Sequence, residues 1–522
     1  MEGGSDVVVI GAGHNGLICG TYLARAGLRV QVLERRAIAG GCTATEEVAP
    51  GVRISRCFCD HLLLYTTPIL EELALAQHGL ENFEIDPCHY APTLEGDGLI
   101  VWRDVERTAD AIGRRSPKDA RTYRRFIRQW SELFLWLQPV LLGSPRPGAV
   151  ARRMLRRPWQ ALQGLSKLPL LQRAQKSSIR DLLDATFEDA ALKGLLAFVT
   201  AGIEGQAPSA PGSAVLALGA VVFHLVGVRR PRGGSGGLVS ALVAALEAHG
   251  GRVRTGAAAE QILVEGGRVR GVRLIDGEEI EAHTVVAACD PQTTFLRLLA
   301  VDVVPAKIRT AIQRLQIANG ISLKVDYLID RMPEWQPHRL EEPEKLARAT
   351  VYVCPSIEYL ETAYRDYQSK RNPPWPGLLM TIPTVADRGL VPKGSHLLTV
   401  ETRYAPYALD GGVSWRAIRQ QEAQRLFELV QRYAPNLAGA ERLPFIQTPE
   451  DLERELGLPR GQIFHVDFVS SQSFNRRPIQ QLADYRTPIR GLYLTGAATH
   501  PGGGVWGAPG RNAAQEILAD LA

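Results

Sequence analysis

Residues 491–512 read Gly-Leu-Tyr-Leu-Thr-Gly-Ala-Ala-Thr-His-Pro-Gly-Gly-Gly-Val-Trp-Gly-Ala-Pro-Gly-Arg-Asn. Positions 492–494 predict a short buried strand, 495–510 a loop too rich in glycine to carry large side chains, and 511 onward a helix. Such a loop brings bare backbone against a ligand. At the other end of the chain, Gly11-x-Gly13-x-x-Gly16 lies between an apolar strand, 6–10, and an amphipathic helix, 17–26. Gly11 permits the tight turn, Gly13 lets backbone approach a pyrophosphate, and Gly16 lets helix meet strand. Glu34 ends the next strand, 29–33, at about the 20-residue offset of a carboxylate that accepts hydrogen bonds from a ribose diol. A chain that opens and closes with such turns grips one long dinucleotide from both termini, and flavin adenine dinucleotide (FAD) is the natural candidate. Arg35, Arg36, Gly40 and Gly41 after Glu34 favour flavin over nicotinamide. No second strand-turn-helix fingerprint follows, since Gly234-x-Gly236 lacks a glycine at 239.

Acid–base candidates are His61 with Asp60 and His465 with Asp467; residues two apart in a strand share a face, which is the expectation for the second pair. The plainer reading makes each histidine a structural hydrogen-bond partner. His500, inside the glycine loop, is expected to support that loop. Arg477 beside Pro478 either stabilises a developing negative charge or sits in an ion pair. Tyr404 and Tyr407 line a substrate chamber or pack in the core. The seven cysteines, Cys19, Cys42, Cys57, Cys59, Cys88, Cys289 and Cys354, are odd in number and form no Cys-x-x-Cys pair. They read as buried or neutral thiols, with neither a redox disulfide nor a metal site expected.

These residues need a scaffold, and 522 residues exceed one usual core, so two interleaved domains are expected. Pieces 1–92, 228–295 and 485–522 form a discontinuous dinucleotide-binding domain, and 93–227 and 296–484 are insertions that build a substrate domain. Helical patterns cover 62–77, 117–141 and 238–249. Strands are expected at 252–255, in a hairpin at 259–274, at 283–288, and near 323–328, 350–354, 378–383 and 396–404. Residues 190–227 are apolar and broken at 206–211, which suggests two short helices lining a greasy cavity or simply packing. A net charge of +5 on a chain with 45% hydrophobic residues does not imply nucleic-acid binding. No apolar run reaches the roughly 18 to 20 residues of a membrane span. The first strand begins near 6, leaving no room for a leader, so a cytoplasmic protein is expected. Between 151 and 176, Arg152, Arg153, Arg156, Arg157, Lys167, Arg173 and Lys176 are interleaved with Met154, Leu155, Trp159, Leu162 and Leu165. That pattern fits a peripheral segment on an anionic bilayer, or a solvated helical face with an apolar seam. Oligomeric state has no signature in the sequence.

Gly11-Ala-Gly-His-Asn-Gly16, Glu34, Gly40-Gly41, Arg230-Pro-Arg-Gly-Gly-Ser-Gly236, Cys289-Asp-Pro291 and Gly496-Ala-Ala-Thr-His-Pro-Gly-Gly-Gly504 together resemble the carotenoid desaturase and isomerase superfamily of flavoproteins. Ser55-Arg-Cys-Phe-Cys-Asp-His61, Tyr123-Arg-Arg-Phe126, Ile382-Pro-Thr-Val385, Ala405-Pro-Tyr407, His465-Val-Asp467 and Arg477-Pro478 look most like its β-carotene ketolase branch. The resemblance spans nearly the whole chain. It implies an α/β fold: a glutathione-reductase-like, Rossmann-type FAD domain with an inserted mixed α+β substrate domain, in an amine-oxidase-like architecture. By matching position, Gly11, Gly13 and Gly16 would hold pyrophosphate, Glu34 the adenosine ribose, and Ala259 the adenine. Gly496, Ala497, Gly503, Gly504 and Val505 would lie near pyrophosphate, ribityl or flavin, with His14, Asn15, Arg35, Gly41 and Cys42 completing the set. Many relatives carry arginine where this chain has Cys42, so one phosphate contact must come from elsewhere.

The activity so implied is hydride transfer from a substrate C–H bond to flavin N5, most readily on a lipophilic polyene or carotenoid-like molecule by desaturation or ketolation. A soluble flavin oxidase or dehydrogenase of an amine or specialised metabolite is the alternative. Acids or aromatic residues facing the flavin, in place of an aliphatic tunnel, would favour it. A third reading is a non-catalytic protein like the guanine-nucleotide dissociation inhibitors, against which the intact glycines and Glu34 argue.

Overall fold

The computed structural model describes residues 5–95, 98–156, 158–318, 320–336 and 343–522. Two sheets organise it. In the first, the parallel strands Arg252–Arg254, Val30–Leu33, Ser5–Ile10 and Glu279–Ala287 lie side by side, Leu492–Leu494 joins Glu279–Ala287, and the hairpin Ala259–Glu265/Arg268–Leu274 adds an antiparallel edge. Strand Ser5–Ile10 carries apolar residues on both faces because both are covered, as parallel strands require. Val7 and Val9 pack among Leu17, Leu23, Leu242 and Ile517, while Val8 and Ile10 pack among Ile262, Val272, Phe295 and Ile312. Helices His14–Arg25 and Ala508–Leu521 lie in close contact: a Cβ on Gly510 would stand 2.3 Å from the Asn15 carbonyl oxygen. The two ends of the chain thus meet on one face of one sheet.

The second sheet runs Glu441–Gln447, Lys324–Ile329, His396–Thr402, Leu378–Thr381, Thr350–Val353, His89–Ala91 and Leu99–Val101. Alternation along its strands separates two kinds of face. Val325, Tyr327, Leu398, Val400, Leu378 and Met380 pack with Leu426, Phe427 and Val430 of helix Trp415–Gln431. The intervening positions, Lys324, Asp326, Thr399, Glu401 and Thr381, point the other way and are buried too. Beside this sheet runs helix Pro117–Leu141, started by the Ser116 hydroxyl, which accepts from the Asp119 N–H at 3.1 Å, and by Pro117 in its first turn. Tyr123, Phe126, Trp130, Leu133 and Leu137 line its buried side.

The expected helix at 62–77 is instead two short turns, Leu63–Thr66 and Ile69–Glu72, because Pro68 lies between them and cannot continue a helix. Strand Glu441–Gln447, with Pro444 inside it, escaped the sequence reading; it lies at the sheet edge, where a missing N–H costs little. The basic segment folds as three short helices, Pro147–Leu155, Pro158–Leu165 and Leu168–Ala174, and Arg157 lies outside the described residues. Among the described residues no helix is long and apolar enough to cross a membrane.

Arg230 joins the halves. Its Nε donates to Asp60 at 2.5 Å, and its other nitrogens reach the Arg348 carbonyl at 2.9 Å and the Thr350 hydroxyl at 3.1 Å. Both charged side chains are at least 96% buried (4% and 1% exposed). Removing one partner of such a pair strands the other charge, so Arg230→Met should cost about 3–5 kcal/mol in urea unfolding. The double variant with Asp60→Asn should recover most of that loss.

Candidate functional site

Each glycine of the N-terminal turn has a distinct task. Gly11 ends its strand at φ +105°, a left-handed conformation suited to glycine. A Cβ on Gly16 would fall 2.1 Å from the Gly11 carbonyl oxygen, whereas one on Gly13 would meet no described atom within 4 Å. Gly13 therefore fronts the open side of the turn, where a ligand's backbone contact belongs. Gly40 donates its N–H to the Ala12 carbonyl at 2.8 Å, and Gly41, at φ +53°, comes against Gly13. Glu34 is buried at the strand end beside this turn, accepting the N–H groups of Ala12 at 3.1 Å and Arg36 at 3.0 Å. The Ala257 N–H donates to the Glu34 carbonyl at 2.9 Å, which sets Ala259 at the start of its strand next to this corner.

The C-terminal loop closes over the same place. Thr495 donates to the Ala287 carbonyl at 2.9 Å, Gly496 turns at φ +104°, and Gly504 at φ +88° lies against the ring of His14. His14 also meets the Asn15 amide at 3.1 Å, and Asn15 Oδ1 has no hydrogen-bond partner among the described residues. Burial pushes His14 down to about 4, so it is neutral near pH 7. Ala497 is buried under the loop, a Cβ on Gly503 would strike Phe464 at 2.5 Å, and Val505 packs into the core of the first sheet. His500 props the loop from below, as expected: its ring lies 3.0 Å from the Val140 carbonyl, and its own carbonyl accepts from Tyr485 at 2.7 Å. The open side of Gly13 fits a dinucleotide pyrophosphate, and the orphaned Asn15 amide oxygen, an acceptor, fits a hydroxyl of the same ligand. Gly11, Gly13, Gly16 and Gly41 would hold the pyrophosphate, Glu34 would take the adenosine ribose, and Gly496, Ala497 and Gly504 would close over the rest of the cofactor.

Other sequence candidates do different work. Arg35, placed with the cofactor by resemblance, donates to the Glu455 carbonyl at 2.9 Å. Cys42 adjoins Cys57, whose thiol is pushed well up by that neighbour and by burial. His61 does not pair with Asp60, because Asp60 is taken by Arg230 and the Thr350 hydroxyl. The His61 ring lies 3.2 Å from the Ser235 hydroxyl, and burial lowers it to about 3. His465 and Asp467 do not share a strand face: no strand forms there, and His465 sits at φ +64°. Asp467 accepts from the Ala318 N–H and the Gln462 amide, each at 2.8 Å. The His465 ring instead lies against Gly496, its Nδ1 has no partner among the described residues, and burial lowers its pKa with help from Arg477. Arg477 is in no ion pair among the described residues, and its donors are already taken. Fully buried, it donates to the carbonyls of Phe464, Val466, Asp467, Gln472 and Ala497 at 2.8–3.2 Å, and lies 4.2 Å over the Phe468 ring. Tyr404 donates to the Gln206 carbonyl at 2.6 Å, and Tyr407 bonds Glu453.

Across from the glycine loops stands the charged face of the second sheet, which sequence reasoning missed. Lys324 sits opposite Glu401, and Asp326 opposite Thr399. Lys324 pairs with Asp326, Arg403 with Glu401, and the Thr399 hydroxyl donates to Asp326 at 2.5 Å. Cys57 lies within electrostatic reach of Lys324 and Glu401, which ties this face to Cys42 and, through Gly41, to the pyrophosphate turn. Arg477 and Arg403 both lie within electrostatic reach of Glu204. The signal was there: charges at every second position within otherwise apolar strands.

A family model described as flavin containing amine oxidoreductase matches residues 16–389. A rat protein named pyridine nucleotide-disulfide oxidoreductase domain-containing protein 2 is 34% identical over 550 residues, covering 99% of this chain and 94% of that one. Phytoene desaturase (lycopene-forming) of Pseudescherichia vulneris is 27% identical, with 98% of each chain covered. The solved structure of cyclohexylamine oxidase from Brevibacterium oxydans superposes with a TM-score of 0.59 at 15% identity, covering 99% of this chain and 100% of that one.

Gly13 and Gly16 separate ligand from fold. Gly13→Val should leave the thermal unfolding of the flavin-free protein within about 1 kcal/mol of wild type while abolishing the visible absorbance of bound flavin. Gly16→Val should yield no soluble folded protein, as judged by circular dichroism.

Proposed function

Since the chain belongs to the flavin-containing amine oxidoreductase family, an FAD-dependent group of enzymes, we propose that it oxidises a C–H bond beside a nitrogen or oxygen on an amphipathic substrate. When bound, FAD supplies the hydride acceptor, and the protein supplies orientation and electrostatics. The observation that carries this reading is the charged face opposite the glycine loops. Lys324, Asp326, Glu401 and Arg403 are all buried there. Burying ions is costly even when they are paired, and a chamber for a pure hydrocarbon gains nothing from them. A substrate with a polar head uses them: the head docks by hydrogen bonds, and the C–H bond next to it is held toward the cofactor. Glu204, Glu361 and the ring cluster of Tyr364, Tyr367 and Tyr404 suit an ammonium or hydroxyl group.

A second reading, a polyene taken from the membrane and desaturated or ketolated, has its own support. Leu155, Trp159, Leu162 and Leu165 are 78%, 77%, 59% and 62% exposed. The last three recur every third residue along helix Pro158–Leu165 and so crowd one side of it. Exposed Arg152, Arg156, Arg173 and Lys176 surround them, whereas Lys167 turns to Glu132 at 2.6 Å. Cations around apolar side chains suit an anionic lipid surface, and we assign this segment as a peripheral membrane contact. The name of the phytoene desaturase relative belongs with this reading. A lipid surface also concentrates amphipathic substrates, so the contact serves both readings, while the buried charges support the first.

Two measurements test these assignments. Anaerobic mixing of the FAD-loaded protein with decylamine, 2-decanol and β-carotene in detergent should bleach the oxidised flavin with the amine or the alcohol. Bleaching by β-carotene alone would transfer the protein to the second reading. In the other, Trp159→Glu with Leu162→Glu should weaken sedimentation with phosphatidylserine vesicles by about tenfold or more, given the apolar area withdrawn from lipid, while leaving thermal stability unchanged.

A further inference from the structure

Helix Ala190–Ala197 widens at its end into a π turn, Phe198–Gly202, a distortion frequent where a helix serves a site. Packing fixes this geometry. A Cβ on Gly194 would stand 2.2 Å from the Cys354 carbonyl oxygen, and one on Gly202 would stand 2.6 Å from the Phe198 ring. The chain leaving the turn is pinned on both sides of Glu204: Gly205, at φ +72°, abuts Ile321, and the Gln206 carbonyl accepts from Tyr404. Glu204 thereby comes within electrostatic reach of Arg477, which holds the Ala497 carbonyl in the glycine loop, and of Arg403, the partner of Glu401. Helix Ile357–Gln368, packed against the π turn, adds Glu361 to the groups around it.

Two features taken together mark Glu204 among the acids here; Glu361 shares the first, with no ion pair among the described residues and an orphaned Oε1, but is buried and lacks the second. Asp326 and Glu401 have cationic partners, but Glu204 is in no ion pair among the described residues, and its Oε2 has no hydrogen-bond partner among them. It also keeps part of its surface accessible, although its carboxyl is withdrawn from bulk water.

We propose that Glu204 is the general base of the oxidation, taking a proton from the nitrogen or oxygen of the substrate's polar head. This assignment rests on the amphipathic-substrate reading. For an ammonium head, an N–H bond breaks, its proton goes to the Glu204 carboxylate, and the electron pair stays on nitrogen. That pair becomes the second bond of C=N as the neighbouring C–H bond breaks and leaves as hydride to FAD. The ammonium becomes an iminium, the carboxylate a carboxylic acid, and two electrons pass to the cofactor. With an alcohol the O–H proton moves in the same way and C=O forms. Burial pushes Glu204 up to about 7 in spite of the two arginines, and a base is most effective when it titrates near the working pH. Above that value the carboxylate can accept a proton; below it the group is already protonated, so oxidation should slow as pH falls through neutrality.

Glu204→Gln and Glu204→Asp test this. First, without substrate, the midpoint potential of the bound flavin is followed against pH with dithionite and redox dyes. The wild-type line should change slope near neutrality, Glu204→Gln should lose that break, and Glu204→Asp should shift it. Superimposable wild-type and Glu204→Gln lines would overturn the assignment. Second, anaerobic flavin reduction by decylamine should be at least about a hundredfold slower in Glu204→Gln, with the acidic limb of the pH profile gone and partial recovery in Glu204→Asp. An unchanged rate and limb in Glu204→Gln would also overturn it. Equal flavin content and melting temperature in the variants keep misfolding from mimicking the effect. If decylamine and 2-decanol fail to reduce even the wild type, the substrate reading falls, while the potential measurement still decides whether Glu204 faces the flavin.

Discussion

The close approach of the first and last helices governs the architecture. Gly510 lets the backbone of helix Ala508–Leu521 reach the Asn15 carbonyl at a separation that excludes any side chain. Because that contact can form only with both helices on one face of the parallel sheet, the two glycine loops that precede them are brought to the same edge. The chain leaves this sheet after Leu33 and returns at Arg252, and leaves it again after Ala287 to return at Leu492. The second sheet is the product of those excursions, its apolar face covered by helix Trp415–Gln431 and its charged face turned to the segment around Cys57.

Two buried arginines show how such an interleaved chain is kept in register. Arg230 has a carboxylate partner and reaches across to the second sheet through Thr350. Arg477 uses main-chain carbonyls drawn from three separate turns of chain. Planar guanidinium groups with several donors suit this task, since one side chain can satisfy carbonyls that no regular ladder would reach. Both residues sit beside the site without facing its open space, so they set its shape.

What the sequence revealed followed the range of the interaction. The Gly11–Gly16 turn, Glu34 and the loop at 496–504 were legible because each is local: a strand, a turn and a helix within a few residues of one another. The pairing of His465 with Asp467 was misread because it assumed extended backbone, and φ +64° at His465 turns the two side chains apart. Arg477 was misread because its carbonyl partners cannot be seen in a one-dimensional pattern. Glu204 was passed over entirely, since its environment is assembled from Arg403 and Arg477, some two hundred residues away or more. The alternating Lys324/Asp326 and Thr399/Glu401/Arg403 were visible as charges in apolar strands, and a period-2 reading of both strands together would have found the charged face.

Because the cradle for the dinucleotide is made from the beginning and the end of the same chain, it does not exist on the ribosome until residues 496–510 have been synthesised. A growing chain therefore cannot use flavin as a template for folding, however much is available. The cofactor selects among chains that have already brought residues 11–41 and 496–504 together, and by binding only that folded form it stabilises them in proportion to the logarithm of its concentration.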